Sequence, residues 1–253
     1  MVELSSEKLI DDIIEMLASS KAPVISTGAG MSSESGVRTF RGEDGYWREH
    51  RAEDLASPEG LRKDPELVWE WYGERLKAYE DIQPHAGYHA LVQLQEQLGK
   101  LPVVTQNVDG LLQKAGLTDV TELHGNLKTA SCMNKCGAPA IPITEELFEN
   151  LPPHCSCGSI LRPDVVLFGE QLPEQALRRA FSLAEACDLI LVVGTSMLVY
   201  PASSLPLIVL RRGMPVIEIN PEETPLTSLA GVTSIHGAAG KILPLLVEGV
   251  SLR

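Results

Sequence analysis

The sequence predicts an α/β protein with a doubly wound parallel sheet, to which two insertions add a smaller lobe. Short apolar, β-branched runs alternate with amphipathic helical patterns through most of the chain, as expected for a sheet covered by helices. The alternation is interrupted by an aromatic-rich helical segment at 42–85 and by a cysteine-containing segment at 127–161. We therefore assign residues 1–41, 86–126 and 162–253 to a Rossmann-like domain and the two insertions to a small lobe.

The composition of the chain limits the classes of function that it could have. Its 253 residues can bury a substantial core, and 44% hydrophobic with 22% charged residues is ordinary for a globular protein. A formal net charge of -13 repels phosphate backbones, so direct binding to nucleic acid is not expected. No apolar run approaches the roughly 20 residues of a membrane span, and the acidic start does not resemble a secretory leader. We expect a cytoplasmic protein whose cysteines serve metal binding rather than disulfides.

The first helix and strand lead into a glycine loop. An apolar face at 6–19 predicts an amphipathic helix, and the β-branched run at 23–27 predicts a buried strand. The following Gly28-Ala29-Gly30 permits a tight turn close to a ligand. A helix opening at Met31–Ser35 would present free N–H groups to an anion such as pyrophosphate. Ser33 stands where a dinucleotide loop G-x-G-x-x-G has its third glycine, so a simple tight turn is the alternative.

A helix in the aromatic-rich insertion carries a candidate carboxylate-binding pair. The Asp-Pro pair at 64–65 predicts the start of this helix, along which Tyr72 and Arg75 are three residues apart and share a face. A phenol beside a guanidinium can hold a carboxylate through charge-assisted hydrogen bonds. The alternative is a surface arginine that pairs with Glu74 or Asp81.

Polar residues follow two strands of the predicted sheet. The strand predicted at 101–105 ends in Gln106-Asn107-Val108-Asp109, and the strand predicted at 120–123 ends in His124-Gly125. Ligands of open α/β sheets bind at the carboxyl ends of the strands, so we expect these side chains at the same crevice as the glycine loop. The alternatives are helix capping by the Asn or Asp and a histidine that serves packing only.

Two predicted strands near the end of the chain bring further loops to the same edge. The strand predicted at 189–193 ends in Gly194-Thr195-Ser196, whose small residues would let a phosphate approach backbone N–H groups. The strand predicted at 215–219 ends in Asn220-Pro221-Glu222, where an amide could hydrogen-bond to ribose hydroxyls. Residues 234–238 are expected to form a turn before the last helix.

Four cysteines fall in two close pairs, each closed by a glycine. Cys132 and Cys136 precede an intervening loop, and Cys155 and Cys157 follow it. Four thiolates in this arrangement predict a closed tetrahedral site for structural zinc. The spacings differ from the usual Cys-x-x-Cys, so the second pair must lie in a turn to share a metal. Reduced cysteines that pack without metal, or His154 as a substitute ligand, are the alternatives.

These segments together resemble the sirtuins, the NAD-dependent protein lysine deacylases. The matching motifs are Gly-Ala-Gly-Met-Ser-Ser-Glu-Ser-Gly-Val-Arg-Thr-Phe-Arg-Gly from residue 28, Thr-Gln-Asn-Val-Asp from 105 and His-Gly from 124. Further matches are Arg-Pro-Asp-Val-Val-Leu-Phe-Gly-Glu from 162, Gly-Thr-Ser from 194 and Ile-Asn from 219. The resemblance spans nearly the whole chain and implies NAD in the cleft between the two lobes, with an acyl-lysine peptide entering from the other side.

The chemistry implied by the resemblance is acyl transfer from a lysine side chain to ADP-ribose, with release of nicotinamide. The resemblance makes His124 the general base, a role that suits histidine because its unperturbed pKa lies near neutrality. Asn107 and Ser196 would position ribose and water, and Asp109 would hold the nicotinamide carboxamide. The cofactor site implied in this way consists of Gly28, Ala29, Gly30, Ser32, Glu34, Phe40, Arg41, Trp47, Gln106, Asn107, Asp109, Gly194, Thr195, Ser196, Asn220, Pro221, Glu222 and Ala238.

The resemblance also indicates the acyl substrates. The pattern Tyr-Gly-Glu-Arg at 72–75 resembles the Tyr-x-x-Arg of the subgroup that removes succinyl, malonyl and related acidic groups. The strand predicted at 165–168 would pair with the substrate backbone as an added strand, although on structure alone it could be an ordinary core strand. The implied substrate residues are Tyr72, Arg75, Val165, Val166, Phe168, Gly169 and Glu170.

Two positions depart from the family's pattern. Val37-Arg38 replaces the Ile-Pro that is common in the loop of Phe40 and Arg41. In that loop the phenyl ring would shield the reacting carbon, and the guanidinium would hold the loop against the cofactor. Leu167 stands where the family often has tryptophan, which predicts a smaller wall of the acyl channel.

Two other kinds of function are compatible with the sequence. An ADP-ribosyltransferase or an NAD glycohydrolase would share the cleft but not the peptide strand, and would form no O-acyl-ADP-ribose. A non-catalytic zinc module that reads acylated or basic tails would not consume NAD. We expect NAD, one structural zinc ion and acyl-lysine proteins or peptides as partners, and neither membrane nor nucleic acid.

Overall fold

The computed structural model describes residues 2–38 and 46–252. Within them the strands are β1 (Pro23–Thr27), β2 (Tyr46–Trp47), β3 (His50–Arg51), β4 (Val103–Thr105), β5 (Val120–Glu122), β6 (Gly125–Cys132), β7 (Ile141–Pro142), β8 (Leu161–Val165), β9 (Leu189–Val193), β10 (Val216–Asn220) and β11 (Val232–His236). The α-helices are α1 (Val2–Ser19), α2 (Ala29–Ser33), α3 (Ala52–Leu55), α4 (Pro58–Lys63), α5 (Pro65–Asp81), α6 (Ala86–Leu98), α7 (Leu111–Ala115), α8 (Glu174–Ala186), α9 (Leu205–Arg211) and α10 (Ala239–Ser251). Short 3-10 helices occupy Glu145–Phe148 and Ala202–Ser204. Among these described helices, none combines the length and the apolarity needed to cross a bilayer.

Six of the strands form one parallel sheet in the order β11-β10-β9-β1-β4-β5. The chain first runs outward from β1 through β4 to β5, and later starts again at β9 beside β1 and runs outward to β11. The direction of winding therefore reverses between β1 and β9, where Thr27 pairs with Val193. This strand order confirms the predicted doubly wound fold class. Doubly wound sheets bind ligands where the winding reverses, so the crevice lies beyond Thr27 and Val193.

Side chains of the central strands alternate between two helical layers. Ile25, Leu191 and Ile217 cluster with apolar side chains of α1, α6 and α10. Val24 and Ile190 cluster on the other face with side chains of α8 and α9. Because both faces of the sheet are buried, its strands are continuous apolar runs in the sequence, which is why they could be predicted.

A second sheet is antiparallel and has the strand order β7-β6-β8. The chain enters it directly from the large sheet, since only Leu123 and His124 separate β5 from β6. Helix α5 packs on this sheet through buried aromatic side chains: Tyr72 clusters with Leu127, and Trp69 Nε1 donates a hydrogen bond of 2.9 Å to the carbonyl of Leu161. The aromatic insertion and the cysteine insertion thus share a core. The exact boundaries of the two domains remain a prediction from the sequence.

Two of the sequence-based elements were wrong in position. The strand predicted at 165–168 is Leu161–Val165, and it belongs to the antiparallel sheet. The N–H of Val166 still donates to the carbonyl of His124, beside the Gly125–Val165 pair, whereas the N–H of Phe168 donates to the carbonyl of Ala56, outside this sheet. The turn predicted at 234–238 is β-strand as far as His236, since this run continues to pair with β10.

The turns that follow β1 and β9 touch through their backbones. The N–H of Gly30 donates to the carbonyl of Gly194 at 2.7 Å. A Cβ added at Gly28 or at Gly30 would lie 2.8 Å from backbone atoms of Gly194. Gly194 itself has a φ of +59°, and a Cβ there would lie 2.3 Å from the amide nitrogen of Met31. Glycine is therefore required at these positions by the contact between two protein segments.

Replacement of Gly194 by alanine should lower the free energy of unfolding by about 3 kcal/mol. The left-handed conformation costs an alanine about 1 kcal/mol, and overpacking adds roughly 1–3 kcal/mol. Gly213→Ala is the matched control, because φ is +71° there and nothing lies within 4 Å of the added Cβ. Urea unfolding of both variants measures the difference, and equal losses would mean that the two turns can move apart at little cost.

Candidate functional site

The candidate site lies at the crevice where β1, β4, β5 and β9 end. The N–H of Gly28 donates to the carbonyl of Val193, and the N–H of Gln106 donates to the carbonyl of Thr27. These bonds join the exits of neighbouring strands into one edge. The glycine loop continues into the five-residue helix α2, which begins at Ala29, two residues before the predicted start.

A hydrogen-bond network of four side chains occupies this edge, centred on the fully buried Ser32. The Ser32 hydroxyl donates to Asp109 at 2.6 Å and accepts from the Nδ2 of Asn107 at 2.8 Å. The Tyr88 hydroxyl lies 2.9 Å from the same oxygen and must be a donor, because the hydrogen of Ser32 is already used. The network joins the turn after β1, the loop after β4 and the helix α6 into one unit.

Asn107 and Asp109 have fixed orientations in this network. The Nδ2 of Asn107 also donates to the carbonyl of Gly28 at 2.9 Å, so this amide can meet a ligand only through its oxygen. The Oδ1 of Asp109 accepts from the N–H of Leu111 at 2.9 Å. Burial raises the pKa of Asp109, whereas the hydrogen bonds from Ser32 and Leu111 oppose the rise. Both side chains are therefore preorganised at the edge of the sheet.

His124 lies at the same edge and has the properties of a general base. Its Nδ1 lies 2.8 Å from the carbonyl of Gln106, which can only accept, so we assign the proton of the neutral ring to Nδ1. The lone pair is then on Nε2. Burial lowers the pKa of His124 below its ordinary value of 6.5, and the bond to Gln106 opposes this shift only in part. The imidazole is thus neutral at physiological pH.

The exits of β9 and β10 continue the crevice on the other side. Gln106 Nε2 donates to Thr195 Oγ1 at 3.2 Å and so connects this side to the loop after β4, whose Gln106 carbonyl binds His124. Asn220 Nδ2 donates to the carbonyl of Thr195 at 2.9 Å, and its Oδ1 accepts from the N–H of Glu222. Ser196 is exposed next to Thr195. The structure thus brings the predicted phosphate-side and ribose-side residues together.

Sequence reasoning missed two residues that hold this site. The Nδ1 of His85 accepts from the N–H of Gly87, so its Nε2 carries the hydrogen and donates to the carbonyl of Met31 at 2.7 Å. Tyr88 is the second, since it completes the network of Ser32. His85 is the N-cap of α6, and Tyr88 lies on its buried face. No local pattern in the sequence distinguishes such residues from ones that serve packing only.

The N-terminus of α10 closes the crevice near α2. Glu34 accepts a hydrogen bond of 3.0 Å from the N–H of Gly240, in the first turn of α10. Ala238 is the N-cap of the same helix and has an extended backbone. These two predicted cofactor residues therefore lie on adjoining segments, although they are 204 positions apart in the chain.

Three other predicted cofactor residues belong to the segment around the loop of Phe40. Phe40 and Arg41 lie outside the described residues. Trp47 contacts α5: its Nε1 donates to Glu74 at 2.5 Å, and the guanidinium of Arg48 lies 3.9 Å from its ring centroid. Arg48 also forms an ion pair with Glu74 at 3.1 Å.

The predicted acyl-recognition pair, Tyr72 and Arg75, lies on α5. Tyr72 is 3% exposed, and burial raises its pKa while the charge of Arg75 opposes the rise. Arg75 donates to the Tyr79 hydroxyl at 2.7 Å, and its guanidinium lies 5.3 Å from the ring centroid of Trp71. Burial raises the pKa of Asp109, and the charge of Arg75 is one of the influences that oppose this rise.

The predicted peptide-pairing segment is held by a bidentate ion pair. Arg162 donates to both carboxylate oxygens of Glu170, at 2.6 and 2.8 Å, and also to the carbonyl of Val165. The ion pair lowers the pKa of Glu170. Phe168 is 45% exposed, and its N–H donates to the carbonyl of Ala56. Glu170 therefore braces the turn at Val166–Gly169, while the phenyl ring of Phe168 faces solvent.

The four cysteines of the insertion form a compact cluster. All four sulfur atoms lie within 4.8 Å of one another, with Cys132 and Cys157 at 3.5 Å and Cys136 and Cys155 at 3.6 Å. Tetrahedral zinc with bonds of about 2.3 Å requires sulfur separations of about 3.8 Å, so the arrangement fits one zinc ion. The second pair lies in a turn, as predicted, because the N–H of Gly158 donates to the carbonyl of Cys155.

The donor set makes this a structural metal site. Four thiolates fill a tetrahedral shell and leave no position for a substrate. The backbone N–H of Cys136 lowers the pKa of Cys132 to about 6, whereas the neighbouring thiols raise the pKa of Cys136 to about 11. A bound metal would favour the thiolate form of all four cysteines. His154 forms a bridge pair with Ile160 and is not part of the cluster, which removes it as a substitute ligand.

Comparison with known proteins agrees with this geometry. Residues 28–201 match the model of the Sir2 family. The chain belongs to the Sir2 family. It is 47% identical over 243 residues to NAD-dependent protein deacylase 2 of Pyrobaculum aerophilum, covering 96% of each chain. The family relationship predicted from the motifs is thereby confirmed.

Solved structures of Sir2 homologues share the fold of this Sir2-family chain. One is a mutant in complex with 2'-O-acetyl ADP ribose, with a TM-score of 0.89 at 44% identity over 95% of this chain and 96% of that chain. Another is a Sir2 homologue in complex with NAD, with a TM-score of 0.88 at 44% identity over 95% of this chain and 93% of that chain.

Metal analysis of the purified protein should find one zinc ion per chain, since the four thiolates form one closed site. A chelator should lower Tm, because the metal joins the two ends of the cysteine insertion. Cys155→Ser should lose the metal, whereas Cys187→Ala should retain it, since Cys187 lies outside the cluster in the layer of α8 and α9. A metal-free wild type with unchanged Tm after chelation would remove the zinc assignment.

Proposed function

We propose that this protein is an NAD-dependent protein lysine deacylase that removes acetyl groups and also acidic acyl groups. The observation that carries the proposal is a neutral His124 with its lone pair on Nε2, located at the strand edge that also holds Asn107 and Asp109. The membership of the chain in the Sir2 family and its similarity to an NAD-dependent protein deacylase of Pyrobaculum aerophilum support the same activity.

The residues at the crevice fit an extended dinucleotide. Gly28 and Gly194 let the turns after β1 and β9 meet at the switch point, and Asn220 with Glu222 would provide hydrogen-bonding groups for ribose hydroxyls. The amide oxygen of Asn107 and the carboxylate of Asp109 would hold the nicotinamide riboside end. When bound, NAD would supply the ribose carbon that accepts the acyl group as nicotinamide departs.

His124 would then take a proton from a ribose hydroxyl through Nε2. The hydrogen bond from Nδ1 to Gln106 keeps the ring in the required tautomer, and it stabilises the charge that the ring gains when it accepts a proton. Gln106 is itself tied to Thr195, so the base is held by residues of the cofactor cleft. Ser196, exposed at the same edge, would position water for release of the lysine.

His124→Ala should abolish deacylation while NAD binding persists, because the imidazole is needed for the proton and not for affinity. In the wild type, turnover should fall about tenfold per unit as pH drops below the pKa of His124, which burial places below 6.5. The control is His89→Ala, since that histidine is exposed on α6. Retained turnover in His124→Ala, or an acid limb centred above pH 7, would exclude His124 as the base.

Acidic acyl recognition would depend on Arg75 and Tyr72. The guanidinium is held by the Tyr79 hydroxyl and packs near Trp71, so it would meet an acyl carboxylate in a fixed orientation. Its electrostatic influence on Asp109 supports a position close to the reaction centre. The structural alternative is that Arg75 only tethers the segment before residue 39, since it approaches the carbonyl of Arg38 at 3.5 Å.

Arg75→Met should reduce desuccinylation about 10- to 100-fold and deacetylation little, because a hydrogen bond to a charged group contributes about 1.5–3 kcal/mol. The comparison uses acetyl-lysine and succinyl-lysine peptides of the same sequence. Lys77→Met is the matched control, since Lys77 is an exposed cation on the same helix. Equal losses on both peptides would support the tethering role and refute acyl recognition.

Mass spectrometry of the reaction products separates this proposal from its competitors. O-acyl-ADP-ribose from either peptide would support the deacylase. ADP-ribosylated protein, or free ADP-ribose without acyl transfer, would favour an ADP-ribosyltransferase or an NAD glycohydrolase. No consumption of NAD would favour a non-catalytic zinc module. The cytoplasmic location and the exclusion of nucleic acid stay predictions.

A further inference from the structure

Glu218 is a buried carboxylate on β10 that contacts three hydroxyl groups. Its side chain is 2% exposed. Oε1 accepts from Thr224 Oγ1, and Oε2 accepts from Thr227 Oγ1 and from Ser234 Oγ, both at 2.7 Å. Within residues 2–38 and 46–252, no lysine, arginine or histidine forms an ion pair with this carboxylate. The three hydroxyls therefore compensate for the loss of water around the charge.

Two of these hydroxyls also bind the backbone of the following turn and so connect it to the carboxylate. Each hydroxyl donates its single hydrogen to Glu218 and is left as an acceptor. Thr224 Oγ1 accepts from the N–H of Leu226 at 3.0 Å, and Thr227 Oγ1 accepts from the N–H of Thr224 at 2.9 Å. Leu226 is itself 1% exposed in the apolar layer below. The turn at 224–227 is thus fixed by one carboxylate and one apolar anchor.

The turn continues a segment of the candidate cofactor site. Glu218 precedes Asn220 by two residues, so both side chains lie on the same face of the strand. Asn220 bonds to Thr195 on one side and to the N–H of Glu222 on the other. The segment 221–223 is therefore held between Asn220 and the turn that Glu218 orders.

We propose that Glu218 is a positioning residue for the ribose end of the cofactor site. It fixes segment 221–227 so that Asn220 and Glu222 present preformed contacts to the hydroxyls of an adenosine ribose. The neighbours of Glu218 in this layer, such as Val216 and Leu226, are apolar. An apolar side chain would be sufficient if this position served packing alone, so the carboxylate indicates a further role. The inference rests on the proposed use of NAD.

The test compares Glu218→Gln and Thr224→Val with the wild type. Both substitutions keep the shape of the side chain, but the first replaces one acceptor oxygen by a donor and the second removes a hydroxyl. We expect the Kd for ADP-ribose, measured by calorimetry, and the KM for NAD to rise at least fivefold, with kcat within twofold of the wild type. That split is the signature of lost binding contacts without lost chemistry.

Two control variants separate positioning from general stability. Thr224→Ser keeps the hydroxyl and should retain the wild-type Kd. If Glu218→Gln does not fold, the comparison of Thr224→Val with Thr224→Ser still tests the positioning role. Val209→Ala makes a cavity in the same apolar layer and should lower Tm without changing the Kd. Wild-type affinity in Thr224→Val, or an equal loss in Val209→Ala, would overturn the positioning role.

Different outcomes would refute the proposed function and the role of Glu218. A wild-type protein that neither binds ADP-ribose nor consumes NAD would refute the use of NAD, and with it this role of Glu218. A wild type that binds ADP-ribose, together with variants that bind it equally well, would refute the role of Glu218 alone.

Discussion

The close contact between the turns after β1 and β9 determines the geometry of the whole candidate site. The sheet reverses its winding between these strands, and the backbones of Gly30 and Gly194 meet there without side chains between them. That contact sets where the short helix α2 begins, and Ser32 on this helix is the centre of the polar network. A fold that moved these turns apart would lose the network, and with it the orientations of Asn107 and Asp109.

Burial and hydrogen bonds give the site its electrostatic character, since neither His124 nor Asp109 forms an ion pair within the described residues. His124 is kept neutral because its surroundings disfavour the imidazolium, and the one bond to Gln106 sets its tautomer. Asp109 is stabilised by a hydroxyl and a backbone N–H. Polar groups that are already oriented by the protein need little rearrangement when charge develops in a reaction, so a crevice of this kind favours proton transfer and the stabilisation of a charged sugar.

Local patterns in the sequence were sufficient to predict most of the fold and most of the residues that line the candidate site. Continuous apolar runs predicted the strands, and the residues at their ends placed Asn107 and His124 at one edge. The role of His85 could not be predicted, because its bond to Met31 joins segments that are distant in sequence. The segment at 165–168 was misplaced because its apolar side chains pack on α5 as a loop, and periodicity alone does not distinguish that from a strand.

The route of the chain between the two sheets has a mechanical consequence. Only Leu123 and His124 separate β5 in the large sheet from β6 in the small one, and the N–H of Val166 fastens the carbonyl of His124 to the returning segment. The candidate base therefore lies at the junction of the two sheets and is bonded to segments on both sides. Any rotation of one sheet against the other would strain either the bond to Gln106 or the bond from Val166, so the alignment of the base depends on the two sheets keeping their relative position.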